Sequence, residues 1–78
     1  MTIIQHPENP NWSIVLDNIV EITKGDTIYT SVSSYKGFNC INFRDNNKNL
    51  IQWDYGMNGD EAGRKLRDED YERIIKTK

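Results

Sequence analysis

The residues of this 78-residue chain whose types could do chemistry are one histidine, one cysteine and a set of carboxylates. Their spacing decides how far each goes. A Cys-His or Ser-His nucleophilic pair would need His6, in a segment bounded by Pro7 and Pro10, to fold over Cys40 or a serine, because nucleophile and base must lie within hydrogen-bond reach. Its place favours a solvated histidine near the terminus instead. A zinc site would have to draw two ligands from carboxylates that show no recognisable spacing. Cys40 sits in an apolar-alternating run and reads as a small buried hydrophobe.

The oxygen side chains of Asp45, Asn47 and Asn49 alternate as in the opening of a calcium loop. That pattern fails at its sixth position, where Leu50 replaces the glycine, and at its twelfth, where Gly56 replaces the bidentate glutamate. A turn in which Asp and Asn bond the nearby backbone is the expected structure. Gly59 and Gly63 before Arg64-Lys65 lack the spacing, and the Ser or Thr after the lysine, of a phosphate-binding loop. Asn11-Trp12-Ser13 matches a glycosylation acceptor, without consequence in the absence of a secretory leader. Asp54, between Trp53 and Tyr55, would act as an acid or base only if an apolar wall raised its pKa; alternation places it on the solvent face with Gln52. No catalytic residue, metal or cofactor is expected, and the chain is read as not an enzyme.

Aromatic side chains offer recognition instead of reaction. Tyr29, Tyr35, Phe38 and Tyr55, with Lys36 among them, form the expected interaction surface, on a sheet face left open by a helix. The same rings could stack bases, with Lys24, Lys36, Arg44 and Lys48 neutralising phosphates, as single-strand binders do. Strict alternation, however, puts Tyr55 on the face of Trp53, under the helix.

The elements that must position these groups follow from periodicity. Pro7 and Pro10 block a helix and a central strand, so residues 1–11 are expected to form an irregular arm and residues 12–78 a single domain. Ile14 to Leu16 reads as a short strand ending at Asp17-Asn18. The run from Ile19 to Lys24 alternates with Val20 and Ile22 on one face and Ile19, Glu21 and Thr23 on the other. Gly25-Asp26 reads as a turn into a strand from Thr27 to Ser33. Two further runs flank Asp45-Asn46-Asn47-Lys48 as a hairpin, with Ile41, Phe43, Ile51 and Trp53 expected to face the helix.

From Asp60 to Lys76 the chain carries helix chemistry: a cap at Asp60 or Asn58, an acidic first turn and a basic end. Asp60/Arg64, Glu61/Lys65, Glu69/Arg73 and Glu72/Lys76 have the favourable i,i+4 order. The apolar stripe is uneven, because Leu66 lies about 140° around the wheel from Tyr71. Either the helix packs by its C-terminal half, through Tyr71, Ile74 and Ile75, or it breaks near Arg67-Asp68. The expected fold is α+β, a meander of four to five antiparallel strands with one C-terminal helix on one face.

Composition narrows the function classes. A formal net charge of -2, with 12 acidic and 10 basic residues, supplies no field to gather phosphate backbones, which disfavours duplex nucleic acid. No apolar run approaches the ~20 residues of a membrane span. One cysteine and no leader point to the cytoplasm. With 36% hydrophobic residues the core is small, and a partner protein or a homodimer would add to it. The expectation is a non-catalytic interaction module that binds another protein or itself, one form of which is an inhibitor of a host system carried by a phage or mobile element. The alternative is single-stranded nucleic acid or nucleotide binding through the aromatic face.

Overall fold

The computed structural model describes residues 1–26, 38–57 and 59–78. They form β1 (Ile3–His6), β2 (Asn9–Val15), a 3-10 turn at Leu16–Asn18, β3 (Ile19–Asp26), β4 (Phe38–Asp45), β5 (Leu50–Met57) and α1 (Glu61–Thr77). The class is α+β and all strand pairing is antiparallel. The strands are divided, however, between a two-stranded ribbon, β1-β2, and a three-stranded sheet in the order β3-β4-β5. The 3-10 turn lies between the two, so the described strands form two sheets where one of four to five strands was expected.

Residues 1–11, expected to be irregular, supply β1 and the start of β2. Ile3 pairs with Val15, Ile4 with Ile14 and Gln5 with Ser13, after which the register jumps to His6 opposite Asn9. Pro10, Asn11 and Trp12 are taken up in that irregularity, where a proline removes no rung from the ladder. Leu16 N–H donates to Thr2 O at 2.8 Å and continues the ribbon by one more bond.

A second irregularity resets the face of β3. Ile19 lies opposite Asp45 and Glu21 opposite Arg44, leaving Val20 as the extra residue. Beyond a bulge the two-residue period changes phase. Ile19 is therefore buried and Val20 is 60% exposed, the reverse of simple alternation, while Ile22 packs against the core. Gly25 and Asp26 do not turn: they extend β3 opposite Cys40 and Asn39. The strand expected at Thr27–Ser33 lies outside the described residues.

The β4-β5 hairpin closes as its sequence requires. Lys48 N–H donates to Asp45 O, and one Asp45 oxygen accepts from the N–H groups of both Asn47 and Asn49 at 2.9 Å. Those bonds, the Asn49 backbone foremost, hold the Asp45 carboxyl below its usual range. Asn49 Nδ2 donates to the second Asp45 oxygen at 3.3 Å. The left-handed residue is Lys48 (φ 68), so the loop is a type I turn followed by one residue of positive φ.

α1 is continuous across Arg67-Asp68 and is capped by Asp60, whose side chain accepts from Ala62 N–H. Its buried positions are Gly63, Arg67, Asp70 and Ile74, spaced by four, three and four residues as one helical stripe requires. Three of the four are not apolar, which is why hydrophobicity alone locates the stripe poorly. Ile74 is fully buried, Tyr71 and Leu66 pack at its margin, and Ile75 is 40% exposed. The ion pairs within the helix include two at i,i+3, Glu61–Arg64 and Asp70–Arg73.

Gly63 lets α1 approach β5. A Cβ built there would overlap the carbonyl oxygen of Tyr55, a backbone atom with no freedom to withdraw. The core joins Ile4, Ile14 and Leu16 from the ribbon side, Ile19, Ile41, Phe43, Trp53 and Tyr55 from the sheet, and Ile74 from the helix. Ribbon and helix thus contribute to one apolar cluster.

Candidate functional site

His6 is 4% exposed, not solvated. The ribbon carries it into a group of rings: it stacks on Tyr55 with centroids 4.5 Å apart, and meets Trp12 and Trp53 edgewise at 5.1 and 5.5 Å. Its nitrogens are committed. Glu8 N–H donates to Nδ1 at 3.1 Å, and Nε2 lies 2.8 Å from Asp54 O. An amide only donates and a carbonyl only accepts, so the ring is the neutral tautomer with its proton on Nε2. In that state neither nitrogen is available to activate a nucleophile.

Beneath the helix lies a chain of polar groups. Tyr55 O–H donates to Asp70 Oδ2, Arg73 Nε donates to Asp70 Oδ1 at 2.7 Å, and Arg73 also reaches Gln5 O at 3.2 Å. Helix, sheet and ribbon are joined through one buried carboxylate. Burial, reinforced by the hydrogen bond and charge of Asp70, pushes the Tyr55 phenol well above the ordinary tyrosine value. The Tyr55 hydroxyl is a structural donor, not an acid for neutral solution.

A second polar contact fixes the other side of α1. Arg67, 7% exposed, donates to Gly25 O at 2.9 Å and pairs with Asp68 at 3.0 Å. Lys24 donates to the same Asp68 oxygen at 3.3 Å and lies over the Tyr71 ring. Desolvation opposes ionisation of Asp68, but the bonds from Arg67 and Lys24 outweigh it and hold the carboxyl below its usual value.

The exposed apolar surface is elsewhere. β5 has one hydrogen-bonded neighbour among the described residues, β4. Where β5 runs past β2, Asn11, Trp12, Ser13, Ile51, Gln52 and Trp53 line an open groove of about 310 Å³. Trp12 and Ile51 are each 38% exposed, and the adjoining Leu50 is 63% exposed. Ile51 was expected beneath the helix; at the turn end of β5 it forms one wall of this groove instead.

The expected interaction surface is not assembled as such. Tyr55 is 1% exposed and belongs to the core, because it shares the face of Trp53. Phe38 is half-buried at the start of β4. Tyr29, Tyr35 and Lys36 lie outside the described residues. Asp54 is half-buried and accepts from Gln52 Nε2 at 2.7 Å, on the face that alternation assigns it. Cys40 is buried, with its Sγ donating to Gly25 O at 3.4 Å.

Trp12, Leu50 and Ile51 were missed as surface residues. The available signal was Trp12 itself, a large ring two residues after a strand-breaking proline; for Ile51 periodicity marks a face but not where the covering layer ends. Among the described residues no three His, Cys, Asp or Glu side chains converge as a metal site would need, and no helix is long and apolar enough to cross a membrane. No family model, curated protein or solved structure matches this chain.

Proposed function

We propose that the protein is a non-catalytic interaction module that binds another protein through the groove between β2 and β5. The observation that carries this reading is the partial exposure of Trp12 and Ile51 across an open groove, beside a strand that has one hydrogen-bonded neighbour among the described residues. An extended segment of a partner would lie along β5 and place an apolar side chain between Trp12 and Ile51, the mode in which strand edges recruit peptides. A second copy of the chain is the other protein that could use the same surface.

The reading also draws on how His6, Tyr55 and Asp70 are used. Each is committed to a structural bond, which leaves recognition as the work for which exposed side chains remain. The nucleic-acid alternative has less support, since the Tyr55 ring is inside the core.

The test is co-purification together with light scattering over a concentration series, on the natural chain and on Trp12→Ser and Ile51→Lys variants. The expected result is a partner or a dimer retained by the natural chain and lost in both variants. A monomer that retains nothing, or a complex indifferent to both substitutions, overturns the reading. A complex that weakens steeply with added salt would point to nucleic acid instead.

A further inference from the structure

We propose that His6 is a proton-operated latch: protonating its ring frees the β1-β2 ribbon from the three-stranded sheet while the sheet and α1 stay folded. The inference starts from how the ribbon is attached. No backbone ladder joins it to β3, β4 or β5. Its polar attachments include the His6 bond to Asp54 O and the Arg73 bond to Gln5 O, and Ile4, Ile14 and Leu16 add apolar contact.

The present bonding of His6 admits one protonation state. A second proton must go to Nδ1, which now accepts the Glu8 N–H. Two donors would then face each other at a ring that is 4% exposed, and a buried N–H without an acceptor is the costly condition. The Tyr55 face attracts a cation stacked on it, yet it provides no acceptor for the new proton.

The charged and titratable groups facing the ring do not reverse this. From the ribbon turn, Glu8 presents its amide, and its carboxylate side chain is exposed. From β5, Asp54 presents its carbonyl while its carboxylate engages Gln52, and Tyr55 presents a neutral phenol. From α1, Arg73 lines the same cavity as His6, its charge matched by Asp70. Among the described residues an imidazolium would therefore add a second cation to the cavity that Arg73 lines, with no carboxylate bonded to it. Swinging the ribbon out gives Nδ1–H and Glu8 N–H water as acceptor.

The latch is tested by lowering the pH from about 8 to about 5, the interval in which histidine takes up its proton, while following tryptophan emission and amide hydrogen exchange. Trp12 and Trp53 both touch the ring. In the natural chain the emission should move to longer wavelength, and the protection of Ile4 and Glu8 should fall roughly tenfold or more while Ile41 and Phe43 keep theirs. His6→Gln, whose amide can still donate toward Asp54 O, should show neither change. Retained ribbon protection in the natural chain, an equal change in His6→Gln, or loss of Ile41 protection together with Ile4 overturns the latch. Should His6→Gln fail to fold, the His6 ring resonances of the natural chain decide: their midpoint must coincide with the loss of Glu8 protection, and a separation between the two overturns it.

Discussion

The β1-β2 ribbon and the β3-β4-β5 sheet share one core but are secured by different forces. The sheet has two ladders, β3-β4 and β4-β5, and a helix locked to it by Arg67 and Asp70. The ribbon has its own ladder and, among the described residues, meets the sheet and helix through bonds that each involve a side chain, such as His6 to Asp54 O and Arg73 to Gln5 O. Backbone ladders form and break cooperatively, whereas a unit joined by a few side-chain bonds can open by itself. From this difference the sheet with α1 is expected to set global stability and the ribbon to be the first part to open.

The largest effect should come from Gly63→Ala. Its Cβ would meet the Tyr55 carbonyl, so α1 must withdraw from β5, at a cost of about 3 kcal/mol or more. Urea unfolding should show the loss in sheet and ribbon together. A native-like midpoint would mean that α1 does not seat on β5.

Asp70→Ala should follow, since it leaves the Tyr55 hydroxyl and Arg73 without their shared partner, worth about 3 kcal/mol. Because Asp70 joins helix, sheet and ribbon, the ribbon should loosen more than the sheet, as hydrogen exchange would record. Equal loosening of the two would blur the distinction drawn here.

Ile4→Ala removes buried ribbon surface and should cost about 2 kcal/mol. Its effect should concentrate in sub-global opening of Ile3–Val15, with a smaller change in the unfolding midpoint than Asp70→Ala gives.

Tyr55 adds an alkaline test. Its folded-state pKa is raised above the ordinary value of 10.0, so the unfolded chain gives up that proton first. The contribution is complete below about pH 10 and is lost as the pH climbs beyond it. Tyr55→Phe should flatten that limb of a stability–pH curve; an unchanged limb would remove the phenol from the network.

Asp68→Asn should be the smallest. Its folded pKa is lowered, so its contribution is present above the ordinary aspartate value of 3.8 and fades as the pH falls through the folded value. The side chain is 42% exposed, and solvent screening limits the loss to about 1 kcal/mol or less. Acid titration of the two chains should converge below that range.

Much of the local structure could be read in the chain. The Asp45–Lys48 turn, the β4-β5 hairpin, the Asp60 cap and the burial of Ile41, Phe43, Trp53 and Ile74 follow from turn chemistry and periodicity. The candidate site was far less legible. Two prolines near His6 suggested a solvated arm, but Pro10 falls where the register jumps, and the ribbon that results carries the ring inside. Tyr55 was assigned both to an open surface and to the helix face, and only the second agrees with its burial.

By itself the sequence determined the α+β class and the place of the β4-β5 hairpin and of the helix, because these depend on interactions between residues a few positions apart. Tertiary structure alone decided that the strands divide into ribbon and sheet, that Val20 bulges outward, that the helix stripe runs through Gly63, Arg67 and Asp70, and that His6 is buried among rings. Each of these turns on partners distant in the chain, such as the Tyr55 carbonyl for Gly63 or the Asp54 carbonyl for His6. A polar residue becomes a core residue only when folding brings it a partner to satisfy it.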